Sequence, residues 1–167
     1  MLMGHDELLK SSEFFAETSK EVLATIAARG DSRNLHRGDI LFKEGEKPES
    51  MYIVLSGRVA IAIGNRPLDS RESMLALMER GDLFGELGLL DGGARSAMAR
   101  AIEPSSVLQI PYAIVLEQLE SNPSMLWGVT KLLAKRLRTM DEVLSDSVFL
   151  DVTGRTAKRL VELSGGK

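Results

Sequence analysis

The stretch GDLFGELGLLDGGARSAMARA, residues 81–101, organises the rest of the chain. Gly85 precedes Glu86 in a segment that can open a short helix, and the first N–H groups of a helix lack intrahelical partners and favour an anion. Nine residues after Glu86, Arg95 supplies a planar set of donors and Ser96 a hydroxyl group. The segment therefore predicts half of a phosphate-binding site.

The residues after Ser96 alternate with a period of two, as expected of a β-strand. Its two faces would carry, in turn, Ala97, Ala99 and Ala101 against Met98, Arg100 and Ile102. A loop, the start of a helix and the end of a strand are therefore predicted to meet at one pocket.

The composition is typical of one water-soluble domain with an appendage. The chain has 167 residues, of which 44% are hydrophobic and 27% are charged. Its 21 basic and 24 acidic residues give a formal charge of −3, so no overall positive field attracts nucleic acid or an anionic membrane. No apolar run reaches the roughly 20 residues of a membrane span, and the first residues lack the layout of a signal peptide.

Cysteine is absent from the sequence. Thiolate-bound metals, cysteine-ligated iron–sulfur clusters and disulfides are therefore excluded. We expect a protein of the reducing cytoplasm with no membrane partner.

A helix is predicted at 19–29 from its capping residues. Thr18 is the expected N-cap, Glu21 is its capping-box partner, and Gly30 follows the end. Its apolar side carries Val22, Leu23 and Ile26. Four apolar residues upstream favour a shorter helical lead-in on the same surface, namely Leu8, Leu9, Phe14 and Phe15.

From residue 34 onward, short apolar runs punctuated by glycine predict β-strands. We place them at 39–43, 51–55, 58–63, 72–78 and 107–110, the last closed by Pro111. Alternation at 58–63 predicts a half-buried strand, with Val59, Ile61 and Ile63 against Arg58, Ala60 and Ala62. Ser56-Gly57 suits a tight hairpin turn. The regular spacing favours a closed or double-sheet antiparallel architecture.

Two helices are predicted after the last strand. The first covers 113–120, with Val115, Leu116 and Leu119 on one side. The second starts with Asn122 as N-cap and Pro123 at the first helical position. A heptad seam of coiled-coil type then runs through Leu126, Leu133, Met140 and Ser147, interleaved with Thr130, Leu137 and Leu144. We predict a homodimer through the helix 123–147, with packing against its own domain as the alternative.

These motifs resemble a known family. Phe84-Gly85-Glu86-Leu87 followed by Arg95-Ser96-Ala97 resembles the phosphate-binding cassette of the cyclic-nucleotide-binding domain. The whole chain is similar to the sensor part of a CRP/FNR-type bacterial transcription regulator, whose roll signature is matched in spacing by Gly38, Gly45 and Gly57, with Phe42, Glu44 and Tyr52 between them. The resemblance implies an α+β fold, an antiparallel double-stranded β-roll (jelly-roll-like) flanked by helices, with a long C-terminal dimerisation helix.

The resemblance also implies a role for each cassette residue. Arg95 would neutralise the cyclic phosphate, and Ser96 would hydrogen-bond it. Gly85 and Leu87 would offer close backbone approach. Glu86 would accept a hydrogen bond from the ribose 2′-hydroxyl group.

In the family, the long helix supplies polar groups to the purine. Those positions here hold Met140, where a hydroxyl residue is expected, and Asp141, which can accept from an exocyclic amine of adenine or guanine. Cyclic AMP is therefore favoured by resemblance, with cyclic GMP as the alternative and no metal ion. The predicted ligand-binding set is Phe84, Gly85, Glu86, Leu87, Arg95, Ser96, Ala97, Arg136, Met140 and Asp141.

We predict three parts in the chain. Residues 1–121 form the β-roll domain with its N-terminal helices, 122–148 the dimerisation helix, and 149–167 a hinge and the first helix of a DNA-binding domain. The hinge rests on the resemblance of FLDVTGR, residues 149–155, to the family's hinge. The resemblance implies a helix-turn-helix domain that is missing from this chain, and DNA would be bound only through that domain.

Other functions fit less well. A cyclic-nucleotide phosphodiesterase would need several clustered metal ligands, and the two histidines, His5 and His36, stand in no metal spacing. We therefore predict no enzyme, no catalytic residue and no metal site. Two alternatives stay open beside the regulator: a dimerisation scaffold with a silent or altered pocket, and a stand-alone cyclic-nucleotide-binding regulatory module.

Overall fold

The computed structural model describes residues 4–63 and 74–164, with side chains described through residue 146. The chain divides after Val129 into two units. Of the predicted strand 72–78, residues 72 and 73 lie outside the described residues. The same holds for the side chain of Ser147, the last position of the heptad seam.

The first unit consists of helices around short strands. It opens with α1 (His5–Lys10) and α2 (Lys20–Arg29), followed by β1 (Asp31–Leu35), β2 (Ile40–Phe42), β3 (Ser50–Ser56), β4 (Val59–Ala62), β5 (Met74–Met78) and β6 (Leu83–Phe84). It continues with α3 (Leu87–Asp91), β7 (Met98–Ala101), β8 (Ser105–Pro111), α4 (Tyr112–Ser121) and a 3₁₀ turn (Pro123–Met125). The last element is the long helix α5 (Leu126–Ser164).

The strands form two antiparallel sheets, in the orders β1-β8-β3-β6 and β2-β7-β4-β5. Side chains of both sheets make one hydrophobic core of Leu35, Phe42, Tyr52, Val54, Val59, Phe84, Ala99, Ala101 and Val107. The predicted double-sheet roll with flanking helices is confirmed. Burial of this apolar face is what holds two such short-stranded sheets together.

Strand β4 is buried on both faces, so the prediction of a half-buried strand is wrong. Ala60 and Ala62 are fully buried, as is Val59. The register places Ala60 opposite Arg100 and Ala62 opposite Met98 on β7, and these long side chains lie beside the two alanines. At the strand's end, Ile63 is exposed instead of buried.

Two strands, β1 and β6, were not predicted from the sequence. β1 has the polar sequence DSRNL and exposes four of its five residues, yet it pairs along its whole length with β8. β6 has only two residues, Leu83 and Phe84, which pair with β3. Neither has the alternation of apolar and polar residues that identifies a strand from sequence. Both are strands because they pair with a neighbouring strand.

Helix α2 and its N-cap both lie one residue later than predicted. The Oγ of Ser19 accepts a hydrogen bond from the Val22 N–H at 3.3 Å, so Ser19 is the N-cap in place of Thr18. Thr18 is instead buried, and its N–H donates to the Phe15 carbonyl. The predicted inner face of α2 is confirmed, and so is the buried lead-in of Leu8, Leu9, Phe14 and Phe15.

Leu116 does not lie on the buried face of helix α4. Tyr112, Ile114 and Val115 are buried, whereas Leu116 is 46% exposed, so its predicted place on the inner face is wrong. Pro111 is the last residue of β8, and Tyr112 follows it at the junction of strand and helix. The inner face is therefore set by the position of that junction on the sheet.

Helix α5 starts through a 3₁₀ turn with Pro123 at its first position. Asn122 precedes the turn without a capping hydrogen bond from its side chain, whose amide donates to the Gln118 carbonyl at 3.1 Å. The segment 149–155, predicted as a hinge, is helical within a continuous α5. Among the helices of the described residues, none has the length and hydrophobicity needed to cross a bilayer.

The two turn glycines Gly57 and Gly38 give a test of the roll's packing. Both have positive φ, but a Cβ on Gly57 would lie 2.2 Å from the Ser105 Oγ, whereas a Cβ on Gly38 meets nothing within 4 Å. We expect Gly38→Ala to lower the free energy of unfolding by about 1–2 kcal/mol, and Gly57→Ala by about 1–3 kcal/mol more because of overpacking. Urea unfolding followed by circular dichroism measures both, and equal losses would contradict the assigned packing.

Candidate functional site

The guanidinium group of Arg95 points into the roll. Its Nη1 donates to the Gly85 carbonyl at 2.9 Å and to the Tyr112 hydroxyl at 3.3 Å, and its Nη2 donates to the Ser50 carbonyl at 2.6 Å. Its Cζ lies 4.0 Å from the centre of the Phe42 ring. Only 8% of the residue is exposed. A buried cation is thus held by neutral oxygens and by the face of the Phe42 ring, with the centres of the Tyr52 and Tyr112 rings 5.9 and 6.0 Å from its Cζ.

The backbone around Arg95 is fixed by the loop after β2. The Arg95 N–H donates to the Glu46 carbonyl at 2.9 Å, and the Gly45 N–H donates to the Arg95 carbonyl at 2.8 Å. These two bonds hold the residue at the end of the loop that enters β7. The side chain is therefore directed inward by backbone contacts on both sides.

Donors remain on this guanidinium group. Arginine has five N–H donors, and the described part of the chain accounts for three hydrogen bonds from Arg95. At least two donors are therefore left for a ligand. The three oxygens satisfy hydrogen bonds but bring no negative charge, so an anion at this place would gain a charge-assisted interaction.

Gly85 has to be glycine for this contact. Its φ is +79°, and a Cβ there would lie 2.8 Å from the Arg95 Nη1. Gly88 is as tightly enclosed, because its Cβ would lie 2.2 Å from the Pro48 Cγ. The loop before α3 thereby contacts the guanidinium group through Gly85, and α3 lies close against Pro48 at Gly88.

Glu86 is buried, with 4% of its surface exposed, at the N-cap position of α3. Its side chain does not form the capping hydrogen bond that would explain it as a helix cap. Its charge acts on Tyr112, where it contributes to raising the pKa of the phenol. The charges of a carboxylate and a guanidinium group thus both act on the same phenol.

The remaining predicted residues have mixed placements. Phe84 lies in the core, stacked on Tyr52 with ring centres 5.4 Å apart, and Ala97 is buried as well. Leu87 and Ser96 are exposed. The structure thus brings Gly85 and Arg95 into direct contact, with Glu86 buried nearby, and leaves the Ser96 hydroxyl at the surface.

Three residues of the predicted ligand-binding set belong to the second unit, namely Arg136 and the two predicted purine contacts, Met140 and Asp141. All three are exposed on α5. Their contacts with a ligand stay predictions.

Tyr112, Ser50 and the ring of Phe42 contact Arg95 and were not assigned to the site from the sequence. Tyr112 lies 17 residues from Arg95, and Ser50 lies 45 residues from it. The one local signal is the placement of Tyr112 directly after a strand-ending proline. Burial raises the pKa of Tyr112 above 10.0, which the Arg95 charge partly offsets.

Within residues 4–63 and 74–164, no group of three or more His, Asp or Glu side chains could hold a metal ion.

Comparisons with known proteins show the family to which the chain belongs. The family model for the cyclic nucleotide-binding domain matches residues 32–122. Over 159 residues, 95% of this chain and 70% of the relative, the chain is 32% identical to a CRP-like cAMP-activated global transcriptional regulator of Mycobacterium tuberculosis. The resemblance predicted from the cassette is confirmed.

Solved structures show the same fold. One is the sensor domain of the transcriptional regulator DNR from Pseudomonas aeruginosa, with a TM-score of 0.70 and 27% identity over 83% of this chain and 91% of that one. Another is the Thermus thermophilus catabolite activator protein, with a TM-score of 0.68 and 32% identity over 80% of this chain and 62% of that one.

The buried phenols predict a loss of stability in alkali. Burial raises the pKa of Tyr52 and Tyr112 above the ordinary 10.0, so above that pH the unfolded chain releases protons that the folded chain keeps. The free energy of unfolding should therefore fall as pH rises past about 10. Urea unfolding across this range measures it, and the double variant Tyr52→Phe with Tyr112→Phe, which has no tyrosine, should show a shallower fall. Equal slopes would contradict the assignment.

Proposed function

The chain belongs to the cyclic nucleotide-binding domains of CRP-like transcriptional regulators, and we propose that its β-roll binds a cyclic nucleotide, in first place cyclic AMP, through Arg95. The observation that carries the proposal is the buried guanidinium group, which keeps at least two donors beside three bonds to neutral oxygens. A cyclic nucleotide carries a single negative charge, and one guanidinium group can match it without a metal ion.

Each cassette residue binds a different part of the ligand. Arg95 binds the phosphate, assisted by the neighbouring Ser96 hydroxyl and by the backbone at Gly85 and Leu87. Glu86 accepts a hydrogen bond from the ribose 2′-hydroxyl group, which selects a ribonucleotide. Glu86 is buried at the N-cap position of α3, next to the glycine whose carbonyl accepts from Arg95, and this placement supports the role.

The purine is bound by Arg136, Met140 and Asp141 on α5. A carboxylate at Asp141 accepts from the exocyclic amine of adenine, and guanine offers an amine as well. The preference for cyclic AMP is supported by the name of the Mycobacterium tuberculosis relative, a cAMP-activated regulator. Cyclic GMP is the alternative ligand.

The protein acts as a homodimer through 123–147. Five apolar residues of the heptad seam are 43–61% exposed, namely Leu126, Leu133, Leu137, Met140 and Leu144. A run of exposed apolar residues at heptad spacing is the pattern that a second helix covers. Ligand that binds one arrangement of the helix pair better than another shifts the dimer toward it, and the segment 149–155 passes this change on.

We assign DNA binding to a helix-turn-helix domain rather than to the residues of this chain. The whole regulator would act in the cytoplasm, and we propose no catalytic step for it. A dimerisation scaffold with a silent pocket is the second candidate, supported by the neutral oxygens that already engage Arg95. Calorimetric titration with both cyclic nucleotides separates the two, because a scaffold gives no binding heat.

Removal of the guanidinium group should abolish tight binding. Charge-assisted hydrogen bonds contribute about 1.5–3 kcal/mol each, so Arg95→Ala should weaken cyclic AMP binding at least about tenfold. Isothermal titration calorimetry at fixed ionic strength measures it. Arg37→Ala is the matched control, since it removes the same charge from an exposed position. Equal affinity of the Arg95 variant and the wild type would refute the assignment.

The dimer can be tested on opposite sides of α5. Leu137→Asp places a charge in the seam, and Thr139→Asp places the same charge about 200° round the helix. The first should raise the dissociation constant of the dimer at least about tenfold, since it loses leucine burial and buries a charge. Sedimentation equilibrium measures this, with little change expected for Thr139→Asp. A dimer unaffected by Leu137→Asp would place the interface elsewhere.

A further inference from the structure

The Tyr112 hydroxyl, the Arg95 Nη1 and the Gly85 carbonyl form a triangle of hydrogen bonds. It donates to the Gly85 carbonyl and accepts from the Arg95 Nη1 at 3.3 Å, while that Nη1 also donates to the Gly85 carbonyl at 2.9 Å. Tyr112 is itself buried. One hydroxyl group therefore binds both the predicted cation and the glycine of the cassette.

The same short segment holds the tyrosine and the arginine. The Glu49 carbonyl accepts from the Tyr112 N–H at 2.8 Å, and the next carbonyl, that of Ser50, accepts from the Arg95 Nη2 at 2.6 Å. Both ends of Tyr112 are therefore fixed relative to Arg95. The hydroxyl cannot move away from the guanidinium group without breaking its hydrogen bond to the Gly85 carbonyl.

This arrangement decides which donors Arg95 offers. Its Nη1 is engaged by two oxygens and its Nη2 by one. The Nε–H makes none of these bonds, and Nη2 has a second N–H beside the one that donates to Ser50. Two adjacent donors in one plane match two oxygens of one phosphate group.

We propose that Tyr112 is a positioning residue, whose hydroxyl group holds the Arg95 guanidinium so that its Nε and Nη2 edge faces the phosphate. The inference rests on the proposed function of Arg95. Gly85 does not need the tyrosine, because its carbonyl already accepts from Arg95. Without the hydroxyl, Nη1 keeps one acceptor and the guanidinium group gains freedom that ligand binding must remove.

The first test is a double-mutant cycle on cyclic AMP affinity. Tyr112→Phe removes the hydroxyl alone and should weaken binding about fivefold. In an Arg95→Ala background the same change should have no further effect, because the tyrosine acts through the arginine. Tyr52→Phe is the matched control, since it removes a core phenol that makes no hydrogen bond to Arg95 among those described, and should change affinity less than about twofold.

The second test needs no ligand. Rotation of the Arg95 Cζ–Nη bonds can be followed by nitrogen NMR of the guanidinium group, with its signal assigned through Arg95→Lys. We expect faster rotation in Tyr112→Phe than in the wild type or Tyr52→Phe. Urea unfolding of each variant shows that the fold is kept.

The outcomes separate the two proposals. If the wild type binds neither cyclic AMP nor cyclic GMP, the proposed function fails and the role of Tyr112 in phosphate binding fails with it. If the wild type binds but Tyr112→Phe binds equally well, or its loss persists in Arg95→Ala, the positioning role is overturned and the proposed function stands. Unchanged rotation in Tyr112→Phe would overturn the positioning role as well.

Discussion

The candidate site depends on one buried cation. The Arg95 guanidinium lies against the Phe42 ring and donates to oxygens from three segments of the chain. These oxygens satisfy hydrogen bonds but supply no opposite charge, and a buried charge is costly unless it is paired. An anion that completes the arrangement therefore gains more here than it would at a surface arginine.

The β-roll provides the rigid frame for this cation. Phe42 belongs both to the core shared by the two sheets and to the contact with Arg95, so core packing and the site cannot be altered independently. Gly85 and Gly45 allow the backbone to approach where a side chain would clash or where φ is positive. The free energy needed to bury the Arg95 charge is therefore supplied by the packing of the fold and not by ligand binding.

The predictions from sequence succeeded where neighbouring residues determine the structure. They failed where packing or pairing between distant elements determines it. The inner face of α2 follows from residues a few positions apart and is confirmed. Gly57 has the positive φ expected of a turn, but the hairpin predicted at Ser56-Gly57 is wrong, because β3 and β4 belong to different sheets and do not pair. Ser19 caps α2 in place of Thr18, although both are good capping residues, because Thr18 is buried against the lead-in. Leu116 was wrongly placed inward because the register of α4 is set by its junction with β8.

The amino-acid sequence alone determined the double-sheet roll, the presence of the cassette and the heptad seam, because each rests on residue types at fixed spacing. Only the tertiary structure placed Tyr112 and Ser50 beside Arg95 and made a strand of the polar segment β1. The reason is physical: these contacts join residues far apart in the chain, and strand pairing and register bring them together. The periodicity of a single segment does not predict such long-range contacts.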